Sequence, residues 1–224
     1  MRLAAIVICI LTSFLMACGS NTGGGTNKKD NRNNYPIKNT KAYNGGPIIV
    51  FGDSVANGYG ASSKSTSLNG CMASVPSWVV NVSSDGATTS DSLSFLDDAL
   101  NEKPSIVLIS LGGNDVINDA MYGSLAEEVT LKNIRKIFRS FTDNGSLVIH
   151  LGLNPPRHPV YPADSSRLQK FYTIAVEEGV IFLENSFAGL WGNSDYMSDE
   201  IHPNDKGYSI LCTRVMTALN PHLK

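Results

Sequence analysis

Ser54, His202 and Asp199 are the residue types that together activate a hydroxyl for attack on a carbonyl, and each stands in a short polar motif. Ser54 closes Gly52-Asp53-Ser54, and Asp199 precedes His202 by three residues in Asp199-Glu200-Ile201-His202. A serine oxygen is a weak nucleophile until a base takes its proton. An imidazole is suited to that task when a carboxylate fixes its tautomer and stabilises the cation it becomes. The three-residue spacing lets Asp199 and His202 meet within one turn or loop, whereas Glu200 is expected to point elsewhere. Two further motifs offer donors for the negative charge that develops on a carbonyl oxygen. Gly86, in Ser83-Ser84-Asp85-Gly86-Ala87-Thr88, presents a backbone N–H, and Asn114, in Gly112-Gly113-Asn114-Asp115, presents a side-chain amide. With the Ser54 N–H they make a three-donor oxyanion hole, in which losing one donor typically costs about 3 to 4 kcal/mol of transition-state stabilisation. The chemistry these groups share is acyl transfer through a serine. Taken singly each motif reads as a turn, and Asp53 as a helix cap or a brace for its loop.

The elements that must position these groups alternate from residue 47 onward. Short apolar runs at 47–51, 78–82, 106–111, 147–151 and 180–183 suit strands covered on both faces. Between them lie helical patterns. Ser124-Leu125-Ala126-Glu127 reads as a capping box, followed by Ile134, Ile137, Phe138 and Phe141 at helical spacing, with Asn144-Gly145 as the stop. Leu168, Phe171, Tyr172 and Ala175 repeat the pattern up to Gly179. Tyr208, Leu211, Val215 and Leu219 form a last stripe, opened by a turn at Pro203-Asn204. Five parallel strands with intervening helices make a three-layer α/β/α sheet, for which right-handed crossovers favour a flavodoxin-like order. The polar motifs then fall at the carboxyl edge of that sheet. His150 belongs to a core strand, His158 to a proline-rich loop and His222 to the tail.

The chain has 224 residues, a net charge of −2 and 42% apolar content, which suits one globular domain. There is no clustered excess of Lys and Arg, which excludes a nucleic-acid footprint, and no His/Cys pattern with zinc spacing. The first 46 residues differ from the rest. Arg2 and the apolar stretch Leu3 to Leu15, too short to span a bilayer comfortably, make a signal peptide over 1–17. Leu15-Met16-Ala17-Cys18 resembles a bacterial lipobox, which implies cleavage before Cys18 and acylation of that cysteine; two or three acyl chains give stable anchoring. Gly19 in place of Asp resembles lipoproteins sent on to an outer membrane. Residues 18–46 carry the cysteine and an Asn/Gly-rich tether whose ends, as a flexible coil, lie roughly 30 Å apart. The folded domain is expected over 47–224, in the bacterial cell envelope. Cys71 and Cys212 remain, in a compartment that permits disulfides. They are either a bridge or, for Cys212 on an apolar helix face, a small buried hydrophobe.

The set Gly52-Asp53-Ser54, Gly86, Gly112-Gly113-Asn114-Asp115 and Asp199-x-x-His202 resembles, in order and type, the four blocks of the SGNH (GDSL) hydrolase family, from about residue 47 to 220. Val55-Ala56-Asn57-Gly58-Tyr59-Gly60 and His202-Pro203-Asn204 resemble its thioesterase/lysophospholipase/arylesterase branch. The resemblance implies Ser54 as nucleophile, Asp199 and His202 completing the triad, Ser54, Gly86 and Asn114 as oxyanion donors, a flavodoxin-like sheet and no cofactor. The implied substrates are small-molecule or lipid esters and thioesters. The envelope location also suits O-acetyl groups on polysaccharide, by hydrolysis or acyl transfer, and a non-catalytic glycan- or acyl-binding lipoprotein is the alternative from another class. Two segments depart from the family pattern, Ser62 to Ser77 and Gly152 to Ala163. Gly58 to Ser65 mimics a dinucleotide or P-loop fingerprint, but Ser63 stands where either motif needs glycine.

Overall fold

The computed structural model describes residues 43, 45–122, 127–152 and 165–223. Its five strands are β1 (Ile48–Gly52), β2 (Val79–Ser83), β3 (Ile106–Ser110), β4 (Leu147–Leu151) and β5 (Ile181–Leu183). All neighbours are parallel, in the order β2-β1-β3-β4-β5. This is the expected flavodoxin-like sheet, with the order reversing between β1 and β3. Such a reversal leaves a crevice beyond the carboxyl ends of those two strands.

The continuous apolar runs arise because alternate residues feed two cores. Ile48 and Val50 of β1 and Ile106 and Leu108 of β3 face one cluster; Ile49, Phe51, Val107 and Ile109 face the other. The first cluster is closed by α1 (Ser54–Asn57), α2 (Leu68–Met72) and α8 (Asp205–Leu219), through Val55, Leu68, Met72, Tyr208, Leu211, Val215 and Leu219. The second cluster lies under α4 (Leu96–Asn101), α6 (Glu127–Asp143) and α7 (Ser165–Glu178). Two further helices, α3 (Thr89–Ser92) and α5 (Gly113–Tyr122), follow β2 and β3 at the sheet's carboxyl edge. Ile134, Ile137, Phe138 and Phe141 of α6 are fully buried, as their spacing predicts. Gly145 and Gly179 follow the helices they were expected to stop, each with its N–H bonded back into the last turn.

The second strand differs from expectation. It is half-buried along its length because it forms the sheet edge, and it begins one residue late, with Trp78 largely exposed. Trp78 still contributes its carbonyl, which accepts from the Ile48 N–H at 3.0 Å. The folded body also reaches slightly before residue 47. The Tyr43 hydroxyl donates to the Pro76 carbonyl, and Ser77 and Ser105 both donate to the Gly46 carbonyl. Residues 1–17, read as a signal peptide, Cys18, residues 124–126 of the expected capping box, and His158 with most of the segment from Gly152 to Ala163 lie outside the described residues.

The segment from Ser62 to Ser77 forms a short 3-10 turn, Lys64–Thr66, and then α2. It is fastened to the start of α8. The Ser62 N–H and hydroxyl and the Thr66 hydroxyl all donate to the Asp205 carboxylate, at 2.7, 2.6 and 2.8 Å. Those bonds, led by the Ser62 hydroxyl, hold the Asp205 carboxyl below its ordinary range. Further along, Cys71 of α2 and Cys212 of α8 form a disulfide, with Cα atoms 5.5 Å apart. Of the two readings left open by the sequence, the bridge is the one observed.

Candidate active site

β1 delivers the nucleophile candidate through a close backbone approach. Gly52 adopts φ +133°, and a Cβ there would collide with the Ser110 carbonyl of β3, so only glycine lets the two strands end side by side. Asp53 follows with extended backbone and caps α1, accepting from the Val55 N–H at 3.1 Å. It also accepts from the Ser110 hydroxyl at 2.8 Å. Burial raises the Asp53 carboxyl to about 7 despite these bonds, Ser110's foremost. Asp53 thus does both jobs open to it in the sequence, cap and brace. α1 is a single turn whose Val55 and Asn57 N–H groups are already taken by Asp53, so it brings no sizeable dipole to Ser54.

Ser54 is buried, and its Oγ lies 2.9 Å from His202 Nε2. His202 Nδ1 lies 2.8 Å from an Asp199 oxygen. An ionised carboxylate can only accept, so Nδ1 carries the proton and Nε2 presents its lone pair to the serine O–H. The other Asp199 oxygen accepts from the N–H groups of Ile201 and His202 at 2.8 and 2.7 Å, so the carboxylate locks the backbone of the loop that holds its own histidine. Partial burial pushes the Asp199 carboxyl up, but the hydrogen bonds from His202 and Ile201 outweigh it and leave the group below its usual range. The loop is closed at its base by the Met197–Pro203 bridge and by Ser198, whose N–H and hydroxyl both donate to the His202 carbonyl. Asn204 then caps α8 through the Lys206 and Gly207 N–H groups, so the expected turn opens the helix. Glu200 is exposed. The Tyr59 ring packs beside the imidazole, with centroids 4.4 Å apart and planes tilted by 47°.

Gly86 lies in the exposed turn after β2, with φ +75° and open space where a Cβ would stand. Asn114 is in the first turn of α5, and its Nδ2 donates to the Ala87 carbonyl at 3.0 Å. The structure therefore ties the Asn114 amide to the residue beside Gly86 and leaves its second hydrogen for another acceptor. The next residue strengthens the same seam. Buried Asp115 accepts from the N–H and hydroxyl of Thr89 at 2.9 and 2.6 Å and from the Thr130 hydroxyl at 3.2 Å. Burial outweighs these bonds and raises the Asp115 carboxyl.

Several contributors escaped the sequence reading. Ser110 braces Asp53, and its signal is a polar residue closing an otherwise apolar strand. The Tyr208 hydroxyl, read only as part of a helical stripe, donates to the Tyr59 and Val55 carbonyls at 2.8 and 3.2 Å. Burial, with the Asp53, Asp199 and Asp85 charges, raises that phenol, so it remains a donor. His150 lies fully buried in β4, as expected of a core histidine, stacked on Phe182 with centroids 5.4 Å apart. Burial lowers it to about 4, so it is neutral at ordinary pH, and its Nε2 lies 3.0 Å from the Leu111 carbonyl, directly before the Gly112-Gly113 turn.

A hydroxyl, an imidazole and a carboxylate in series at the carboxyl edge of a five-stranded parallel sheet define the class: an α/β enzyme equipped for acyl transfer. The chain belongs to the GDSL-like lipase/acylhydrolase family, whose model matches residues 50–210, and it is an esterase of that family. It is 30% identical over 149 residues to Esterase TesA of Pseudomonas aeruginosa, an alignment covering 65% of this chain and 71% of the relative. A crystal structure of TesA superposes with a TM-score of 0.62 at 26% identity, over 79% of this chain and 99% of that one. Axe2, an acetylxylan esterase from Geobacillus stearothermophilus, shares the fold at 17% identity, with a TM-score of 0.63 over 78% of this chain and 94% of that one.

Proposed function

We propose that the enzyme hydrolyses carboxylic esters or thioesters through a covalent acyl-enzyme on Ser54. The reading rests on one observation, the relay from Ser54 Oγ to His202 Nε2 at 2.9 Å and from His202 Nδ1 to Asp199 at 2.8 Å. Ser54 Oγ bonds to the carbonyl carbon as His202 Nε2 takes its proton. The carbonyl oxygen becomes an oxyanion met by the Ser54 and Gly86 N–H groups and the Asn114 amide. Collapse breaks the bond to the alcohol or thiol, which leaves with the proton from His202. Water then repeats the sequence against the acyl-enzyme, releasing a carboxylic acid and restoring the serine. Asp199 holds the imidazole in the tautomer that can accept, and its half-exposed carboxylate remains charged throughout. The substrates that suit this reading are lysophospholipids, aryl or short-chain esters and acyl-thioesters.

The test is direct. Wild-type protein should hydrolyse p-nitrophenyl butyrate and take one fluorophosphonate adduct on Ser54, and Ser54→Ala should do neither. A Ser54→Ala variant that turns over at the wild-type rate refutes the mechanism. We further propose that Cys18 carries the acyl anchor that holds the domain at the cell envelope. Expressed in a bacterium, the protein should incorporate labelled palmitate and sediment with membranes, and Cys18→Ser should lose the label; equal labelling of both refutes the anchor.

A further inference from the structure

The turn that carries Gly86 is held on its two sides by different elements. After Gly86, the Ala87 carbonyl accepts from Asn114, and Thr89 is bound to Asp115. Before it, the Ser84 N–H donates to the Gly52 carbonyl at 3.0 Å. The tip itself, Ser84 to Gly86, is exposed, and no heavy atom packs where a Gly86 Cβ would be. At that tip the Asn57 Nδ2 donates to Asp85 Oδ1 at 2.8 Å. Asn57 is the last residue of α1, the turn that begins with Ser54, and its own N–H is fixed on the Asp53 carbonyl at 2.9 Å. One side-chain bridge thus joins the helical turn bearing Ser54 to the residue adjoining Gly86.

We infer that Asn57 and Asp85 are positioning residues, a clamp that sets the spacing between the Ser54 and Gly86 N–H groups and so completes the oxyanion hole. This rests on the acyl-enzyme reading above. A backbone donor stabilises an oxyanion only when it points at the place the oxygen will occupy; the turn closes on itself through the Ala87 N–H to the Ser84 carbonyl at 3.1 Å, and Asp85 is the side chain that ties its exposed tip to α1. The bridge also fixes where the Asp85 charge sits. Bound to Asn57, the carboxylate is drawn toward α1 and stabilised there, instead of swinging across the oxyanion, which it would repel. Because the bridge is solvent-exposed, its loss should scarcely alter global stability, so an effect on rate separates positioning from folding.

Purified variants are assayed with p-nitrophenyl butyrate and with phenylboronic acid, whose tetrahedral adduct on Ser54 places an oxygen among the oxyanion donors. Asn57→Ala and Asp85→Ala should each lower kcat about tenfold, with KM within roughly twofold, and weaken boronate inhibition by a similar factor. Melting temperatures should stay within roughly 3 °C of wild type. Asp85→Asn keeps an oxygen acceptor for Asn57 and should retain kcat within about twofold. The exchange Asn57→Asp with Asp85→Asn reverses donor and acceptor across the same gap and should recover most of the rate lost in the alanine variants. The clamp is overturned if either alanine variant matches wild type in kcat and boronate affinity. It is equally overturned if Asp85→Asn falls as far as Asp85→Ala, or if the exchange recovers nothing. A wild-type protein without hydrolysis or a Ser54 adduct would instead sink the acyl-enzyme reading itself.

Discussion

The Cys71–Cys212 bond closes a loop spanning 141 residues, most of the domain, and removing it should be felt chiefly in the unfolded chain. In the folded state α2 and α8 already pack together, with Leu68, Met72, Leu211 and Val215 fully or nearly fully buried in one cluster, so the bond adds little that packing does not supply. In the unfolded state a crosslink over so long a loop removes conformational freedom equivalent to about 5 kcal/mol in the chain-entropy model, the upper end of what disulfides deliver. Equilibrium urea denaturation, with and without reductant, reads this directly. Oxidised wild type should exceed reduced wild type by roughly 3 to 5 kcal/mol, and its m-value should be smaller because the crosslinked unfolded chain exposes less surface. The double variant Cys71→Ala, Cys212→Ala should match the reduced protein within about 1 kcal/mol and ignore reductant. Ester hydrolysis by the folded double variant should stay within about twofold of wild type, since neither sulfur touches Ser54, His202 or Asp199. Identical midpoints and m-values for oxidised and reduced wild type would refute the reasoning.

Gly52→Ala should cost several kcal/mol or prevent folding, because its Cβ meets the Ser110 backbone and its φ is left-handed, whereas Gly86→Ala, in open space, should cost only about 1 to 2 kcal/mol in the same denaturation assay. Asp199→Asn should leave the fold intact and lower kcat by about 10⁴-fold in steady-state assays, because an amide can offer its N–H to Nδ1 and stabilise the wrong tautomer. Asp53 has a folded-state pKa of about 7, above its unfolded value of 3.8, so its stability contribution is full below the unfolded value and lost as pH rises toward 7. Asp53→Asn, which keeps the acceptor for Val55 and Ser110, should therefore gain a few kcal/mol relative to wild type between pH 4 and 8, read from melting curves across that range.

The sheet, and the candidates Ser54, Asp199 and His202 that the fold brings together, were legible because each has a local signature. Apolar runs marked β1, β3 and β4 nearly to the residue, since strands buried on both faces tolerate few polar side chains. The stripe through Tyr208, Leu211, Val215 and Leu219 marked α8 for a different reason, since the one buried face of a helix recurs about every three to four residues. The short helices α2 to α4 were not legible, and α1 only through Asp53, read as a helix cap or a loop brace. Four to six residues contain too little periodicity: each of α1, α2 and α4 buries only two to three apolar side chains, and α3 is held by its Thr88–Asp91 capping box. The path of residues 62–77 was hidden because Asp205, which fastens it, lies 143 residues beyond Ser62. The bracing of Asp53 by Ser110 spans 57 residues and is equally invisible to local pattern. Side-chain hydrogen bonds between distant loops carry much of this site, and sequence spacing says nothing about them.

The hydroxyl and the imidazole that meet at 2.9 Å are 148 residues apart along the chain. Ser54 arrives with the first strand to be made, and His202 arrives only as the closing helix begins. A growing polypeptide, or one cut before residue 202, therefore holds Ser54 without the imidazole that meets it in the folded domain, so the pair exists only once nearly the whole domain has been made.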